Sequence, residues 1–431
     1  MQLIDPYYTL IALSITLILS YIFNLISAKT NIPSVLLLIL LGVLLKQMAQ
    51  WFDIQMGEAL FNILEILGIV GIILIVLEAA LDLELRRERW PIIWKSFVVA
   101  LLALIFSAFA CVYIFRIFLD IENFFTAMVY AVPLSIMSSA IVIPSVGGLE
   151  HDKQEFMVYE STFSDILGIM LFYFLLENAE TTEKTAIFLG VTSNIVITIG
   201  LSVVISYALV LIFQKLETEV KLFLLIAVLL LLYSIGKLFH LSSLIIILVF
   251  GLILNNHQLF FQGFLKKMVD TRAVYSILHN FRMVTMESAF VMRTFFFVIF
   301  GITISIGSLS DVTVALISFL LVGIFLLIRF VLLKVIVKKD ILPQLFIAPR
   351  GLITILLFFS IPSELQISNF NSGILLFVVL ITSFAMTFAL VLSGTKIKPY
   401  DDFADNYWQQ VDEEIDTIPT QEKQATEKKE K

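Results

Sequence analysis

The sequence predicts an all-α polytopic membrane protein of about thirteen transmembrane helices, built as two inverted repeats with a pair of discontinuous crossing helices. Three observations carry that expectation. The chain has 431 residues, of which 60% are hydrophobic and only 15% charged, with the charge deficit spread along its length. A soluble domain of this size keeps about a quarter of its residues charged. Apolar runs long enough to span a bilayer recur from end to end, and two of them are interrupted by proline.

The first run, Tyr8 to Leu25, lacks a basic flank before it and a small-residue cleavage site after it, so it reads as a transmembrane helix and not as a signal peptide. Spans follow at 32–48, 61–81, 91–118, 122–146, 155–177, 187–213, 220–236, 239–255, 285–306, 312–336, 341–361 and 370–393, with the first extending over 8–27. The region 256–284 has room for an extra interfacial helix. Residues 1–395 thus form a transmembrane domain. The remainder, 396–431, opens acidic and ends in a Lys/Glu/Gln/Thr stretch, which cannot bury enough apolar surface to fold and is expected as a disordered, charged cytoplasmic tail.

Loop charges orient the chain. With the N-terminus outside, the cytoplasmic loops hold Lys29, Arg86, Arg87, Arg89, Lys95, Lys153, Lys215, Lys221, Lys266, Lys267, Arg272, Lys338 and Lys339. The opposite loops at 119–123, 307–311 and 362–369 contain no Lys or Arg, and the one near 178–184 has only Lys184 at its end. This positive-inside pattern supports an odd number of spans, with the N-terminus out and the C-terminus in, across a cell (inner or plasma) membrane. The net charge of −7 sits largely in the tail and says little about substrate. A lone cysteine, Cys111, lies inside an apolar run, which leaves no disulfide framework or zinc cluster within one chain.

Charges inside a bilayer are costly, so each needs a reason. Asp165 lies ten residues into the sixth span, ~15 Å deep at ~1.5 Å per residue. Ser161, Ser164 and Asp165 are spaced i, i+3, i+4 and share one helix face. Oxygen-only ligands of this kind suit a hard cation such as Na⁺, and a desolvated carboxylate can instead take a proton. Glu160 is five residues earlier, about 140° round the helix, and needs a partner of its own. Arg329, well inside the eleventh span, is the preferred one.

The fifth span carries Pro133, Ser135, Ser138, Ser139 and Pro144, and the twelfth carries Pro343, Pro349-Arg350-Gly351 and Pro362. Proline removes backbone hydrogen bonds, which is tolerable at membrane depth only beside a polar cavity. The fifth and twelfth spans cross in opposite directions, as paired broken helices do in inverted-repeat transporters. Arg350 is placed there to neutralise helix-end carbonyls or to set the field around the site. Other in-membrane charges are Glu65, Arg116, Glu287, Arg293 and Glu78, the last read as a boundary residue near the cytoplasmic end of the third span.

These residues resemble the monovalent cation:proton antiporters, the sodium/proton exchanger group. Glu160-Ser161-Thr162-Phe163-Ser164-Asp165 looks like the family's Glu-Ser-x-x-Asn-Asp motif, and Pro349-Arg350-Gly351-Leu352 resembles its Arg-Gly break. Leu77-Glu78-Ala79-Ala80-Leu81-Asp82-Leu83 and Phe295-Phe296-Phe297-Val298-Ile299-Phe300-Gly301 are similar to its acidic segment and its Phe-Phe-Val-x-x-Gly run. The resemblance spans residues 8–393 and implies a thirteen-helix inverted-repeat fold, a homodimer, and an elevator-like movement of a core. It further implies that Asp165 binds cation and proton in turn, that Glu160 pairs with Arg329, and that Arg350 stabilises the crossing. Two departures stand out: Ser164 replaces the family's asparagine, and Ser138-Ser139-Ala140 lacks the acid of its Thr-Asp-Pro break.

The expected function is therefore antiport of a monovalent cation, Na⁺ first and Li⁺ accepted, against H⁺, electroneutral because one acid titrates. The cation-binding set is Asp165, Ser164, Ser161, Ser138 and Ser139, with the transported cation as the only metal. The alternatives are K⁺/H⁺ exchange at the same site and a non-transporting membrane sensor or scaffold. No nucleotide, haem or metal-cluster motif is present, so no cofactor, enzyme activity or nucleic-acid partner is expected, and no filter-like glycine loop suggests a channel.

Overall fold

Long runs of Leu, Ile, Val and Phe cannot leave backbone N–H and C=O groups unpaired in lipid, so helices are the economical answer for this chain. The structure is a computed structural model describing residues 6–30, 33–51, 59–85, 87–177, 184–215, 221–238, 243–262, 269, 271–303, 311–338, 340–367 and 370–394. The tail from 396, the loop 178–183, the residues Arg86, Lys266, Lys267 and Lys339, and the side chain of Glu65 lie outside the described part.

In chain order the helices are α1 (Pro6–Thr30), α2 (Ser34–Trp51), α3 (Ala59–Asp82), α4 (Trp90–Phe118), α5 (Phe124–Ser135), α6 (Ser139–Ser145), α7 (His151–Glu177) and α8 (Lys184–Phe213). They continue as α9 (Lys221–Leu238), α10 (Ser243–Asn255), α11 (His257–Phe260), α12 (Thr271–Thr303), α13 (Val312–Ile336), α14 (Leu352–Phe359) and α15 (Gly373–Leu392). Eight described stretches are long and apolar enough to cross a membrane, with α5 and α6 counting together as one, and α8, α9 and α10 contribute shorter apolar runs. Large apolar side chains on the outer surface, such as Leu10, Ile11, Ile18 and Leu25 of α1, are exposed. In a bilayer they face lipid.

Two bodies emerge from the packing. In one, α2 lies along α12, α12 and α10 flank α3, α8 runs beside α10, and α9 and α1 attach at the edges. In the other, α4 packs against α5, α7 and α13, α15 against α13, α6 against α7, and α14 against α5. The seam between them is thin and is made mainly by α3 and α10 touching α7, and α14 touching α3. The first of these bodies is held by close backbone approach. A Cβ built on Gly42 of α2 or Gly301 of α12 would strike the main chain of the other helix, so small residues allow the two to meet. Cys111 of α4 is fully buried in the second body.

Local chemistry sets where helices begin. Asn123 caps α5 by accepting from the Phe125 and Thr126 amides at 2.9 and 3.4 Å, and Asp311 caps α13 from Thr313 and Val314 at the same distances. Pro91 occupies the first turn of α4, where its missing N–H costs nothing.

Two expectations need correction. The twelfth span is not a helix broken in its middle: residues 340–351 run as turns and extended chain, and only α14 is helical. Pro343 and Pro349 exclude the helical hydrogen bonds that such a half-helix would need. The helix of the tenth span begins at Thr271 and its crossing stretch at Ile277, not at 285, and the short α11 lies in the region before it. The first half of α12 carries Arg272, His279 and Arg282, so a count of apolar residues starts it late.

Candidate functional site

Asp165 is the fifteenth of the 27 residues of α7 (165 − 151 + 1) and is 1% exposed. Facing it is the break in the fifth span. Pro133 sits in the last turns of α5, residues Ile136 and Ser138 are extended, and helix resumes at Ser139 as α6. The unwound amides must find partners elsewhere. The Met137 N–H donates to Ser164 Oγ at 2.9 Å, the Ser138 N–H to the Pro349 carbonyl at 2.9 Å, and the Ser139 N–H to Asp165 Oδ2 at 3.0 Å. Asp165 thus sits at the N-terminus of α6, where free N–H groups favour negative charge.

The break is seated by small residues on both sides. A Cβ on Gly168, one turn beyond Asp165, would run into the Ile136 side chain. One on Gly351 would come within 2.7 Å of both Ile141 Cδ1 and Ser138 Oγ, so the two interrupted spans cross closely at this point. Among the described residues, Asp165 Oδ1 and Ser138 Oγ are buried without a hydrogen-bond partner. Buried polar atoms left so are unusual and mark places where a ligand or ion can be taken up.

Not every residue on the sequence-derived list meets this centre in the same way. Ser164 and Ser139 touch it through hydrogen bonds, Ser138 through its backbone, and Pro349 through its carbonyl. Ser161 gives its hydroxyl to the Val158 carbonyl of its own helix at 3.1 Å. Pro133 contributes only by shaping the end of α5.

Two buried arginines frame the centre differently. Arg329 of α13 pairs with Glu160 through its two terminal guanidinium nitrogens, one at 2.9 Å, and also donates to the Gln344 carbonyl from Nη2 at 3.0 Å and from Nε at 3.2 Å. Glu160 and Arg329 are 1% and 4% exposed, so this fork joins α7, α13 and the unwound segment 340–351 without water. Arg350 donates Nε–H to the Leu134 carbonyl at 2.8 Å, and its guanidinium lies over the Phe325 ring at 4.7 Å. Its own N–H is held by Thr382 Oγ1 at 3.0 Å. A cation is thereby placed at the carbonyl end of α5.

A cavity of about 320 Å³ reaches Ser139 and Ala140 and is lined also by Ser27, Pro33, Asp82 and Ser145, at or near helix ends. Glu78, Asp82, Glu287 and Arg293 line it. Glu78, in the last turns of α3, is 8% exposed and accepts from Arg293 of α12 at 2.8 and 3.1 Å. Asp82 pairs with Arg282 of the same helix. Sequence reading missed both pairs because neither partner is near in the chain. Opposite charges at matching depths of the third and tenth spans were the available signal. Arg116 and Glu287, counted among in-membrane charges, are exposed.

Comparison with known proteins adds the following. The chain matches the family described as sodium/hydrogen exchanger, transmembrane, over residues 13–394. No curated protein matches it. Among solved structures, the sodium proton antiporter MjNhaP1 from Methanocaldococcus jannaschii at pH 8 superposes with a TM-score of 0.65 at 18% identity, covering 90% of this chain and 98% of that one. A three-dimensional electron-microscopy map of the same antiporter gives 0.64 at 17%, covering 97% and 100%. At these identities the likeness speaks for the fold.

Proposed function

The chain belongs to the sodium/hydrogen exchanger family, and we propose that it exchanges a monovalent cation for a proton with Asp165 as the shared binding group. One observation carries this reading: Asp165 is buried with Oδ2 held by the Ser139 amide and Oδ1 without a hydrogen-bond partner among the described residues, at the crossing of two unwound segments. A cation on Oδ1 could add Ser138 Oγ and the site-facing hydroxyls of Ser139 and, after a rotamer change, Ser161. A proton neutralises the same oxygen. The two ligands therefore compete, and an occupied site is neutral enough to move past an apolar barrier while an empty one is not.

With one titrating acid, the exchange is electroneutral and one for one. Na⁺ is the proposed cation and Li⁺ a substitute. The cavity is lined by Pro33, Asp82 and Ser145, at the span ends that carry the basic loops, and, with the N-terminus outside as part of this proposal, the conformation faces the cytoplasm. The thin seam between the two bodies suits movement of the α7 body against the scaffold, and a homodimer joined through the scaffold is part of the same proposal, as is a solvated cytoplasmic tail from residue 396.

The test is cation-driven proton flux in everted vesicles from antiporter-deficient cells, comparing wild type with Asp165→Asn. Equal flux in both sinks the mechanism. Flux with K⁺ and not Na⁺ assigns the site to K⁺/H⁺ exchange. A wild type inactive with Na⁺, Li⁺ and K⁺ from pH 5 to 9, roughly the range a buried carboxylate covers, points to a sensor of the same fold.

A further inference from the structure

The chain leaves the scaffold for the moving body at residues 83–85, directly after α3, and this short segment is gripped from both sides. From the scaffold side comes Asn256, 5% exposed, at the end of α10. Its Nδ2 donates to the Leu83 carbonyl at 2.9 Å, and its Oδ1 accepts from the Leu85 N–H at 2.6 Å. The second Nδ2 hydrogen goes to the Leu252 carbonyl at 3.0 Å, which fixes the amide to its own helix. Asp82, just before the segment, is tied to Arg282 of α12.

The other grip belongs to α7. Tyr159, 7% exposed, donates its hydroxyl to the Glu84 carbonyl at 2.7 Å. Around these bonds lies a small apolar cluster separate from the main core. It contains Leu83, Ile93, Tyr159 and Ile166, with Phe163 and Met170 of α7 and Leu248 and Leu252 of α10 packed on it. Tyr159, Phe163, Ile166 and Met170 recur at helical spacing, so α7 has two working faces. Ser164, Asp165 and Gly168 turn to the break, while the second stripe rests on α10.

We propose that residues 83–85 are the hinge between the two bodies, with Asn256 as its fixed pin and the Tyr159 hydroxyl as a latch that holds the cavity-open conformation. The amide grips two backbone groups in a geometry that a rigid scaffold maintains, whereas the hydroxyl reaches across the seam to the Glu84 carbonyl, and the apolar side chains around it can slide past one another. When the α7 body moves, the Tyr159–Glu84 bond is the one that must open. Tyr159 is a positioning residue that sets the rate of the conformational step and not the affinity of the site.

This inference rests on the movement proposed above, and its test has an arm that does not need transport. Tyr159→Phe keeps the ring and removes the hydroxyl that forms the latch. In proteoliposomes of the full chain, its turnover is expected to rise roughly three- to tenfold, the worth of one buried hydrogen bond, with the KM for Na⁺ unchanged. Amide hydrogen exchange of the detergent-purified protein is expected to quicken by a similar factor at residues 83–85 and not along the rest of α3 or α7. Asn256→Ala releases the pin, so exchange at 83–85 rises further while turnover falls. Unchanged turnover in Tyr159→Phe, or a shift of KM in place of turnover, overturns the proposal, as does unaltered amide exchange at the hinge. A wild type that moves no cation would refute the antiport reading, and the amide-exchange arm would still judge the hinge.

Discussion

Glu160 and Asp165 stand five residues apart on one helix, equally buried at 1% exposure, and their surroundings could hardly differ more. Around Glu160 every electrostatic demand is met: Arg329 forks onto the carboxylate, and the Gln344 carbonyl takes what remains of the guanidinium. Around Asp165 the demand is half met: Ser139 holds one oxygen, and the other has no hydrogen-bond partner among the described residues. A closed pair locks three segments together, and a half-open carboxylate asks for a mobile partner. Burial alone therefore does not mark a transport site. What distinguishes it is an unfinished shell.

The sharpest break of this comparison is to neutralise each acid in turn. Asp165→Asn is expected to lower exchange by about 100-fold or more while leaving thermal unfolding of the purified protein unchanged or raised, since a charge with no counter-ion has been removed. Arg329→Ala does the reverse. It strands a buried carboxylate and should cost about 3–5 kcal/mol, read as loss of yield and a lower unfolding temperature, and Glu160→Leu combined with Arg329→Met should recover most of it. Loss of stability in Asp165→Asn as large as in Arg329→Ala would erase the distinction.

Smaller changes sharpen it. Ser139→Ala keeps the amide on Asp165 and removes only a hydroxyl, so a rise of roughly two- to fivefold in the KM for Na⁺ is expected, at constant turnover. Smallest of all is the surface contact of Lys153 with Asp340 and the Leu342 carbonyl, at 3.0 and 2.8 Å. The hydrogen bond from Lys153 holds the exposed Asp340 carboxyl below its ordinary range. A lowered value means the pairing is complete above that range and fades only as pH falls through it. Asp340→Asn should therefore leave the exchange profile between pH 6 and 9, roughly the neutral range where Asp340 is already ionised, superimposable on wild type.

Much of this was legible in the chain itself because it is written in composition and spacing. Apolar runs marked the spans, Pro133 and Pro349-Arg350-Gly351 marked the breaks, and the i, i+3, i+4 spacing put Ser161, Ser164 and Asp165 on one face. The residues that escaped are those whose role depends on how helices are rotated against one another. Nothing local says that the Ser139 amide will reach Asp165, that Glu78 will find Arg293 across a cavity, or that Asn256 will hold a segment 171 residues earlier in the chain. Periodicity describes a helix, and partner choice belongs to the assembly. The start of α12 was misplaced for a related reason, since its amphipathic first half is stabilised by neighbours and not by hydropathy.

The buried thiol of Cys111 has a practical consequence. It is the chain's one cysteine and is sealed inside the second body at 0% exposure. Water-soluble alkylating agents will pass over it in the folded protein, so the natural sequence already serves as a silent background. A single cysteine introduced at Ala140, in the wall of the cavity, becomes the sole reporter of solvent arriving from one side of the membrane. Spectroscopic labels can thus follow the movement of this protein without first stripping a native residue from its core.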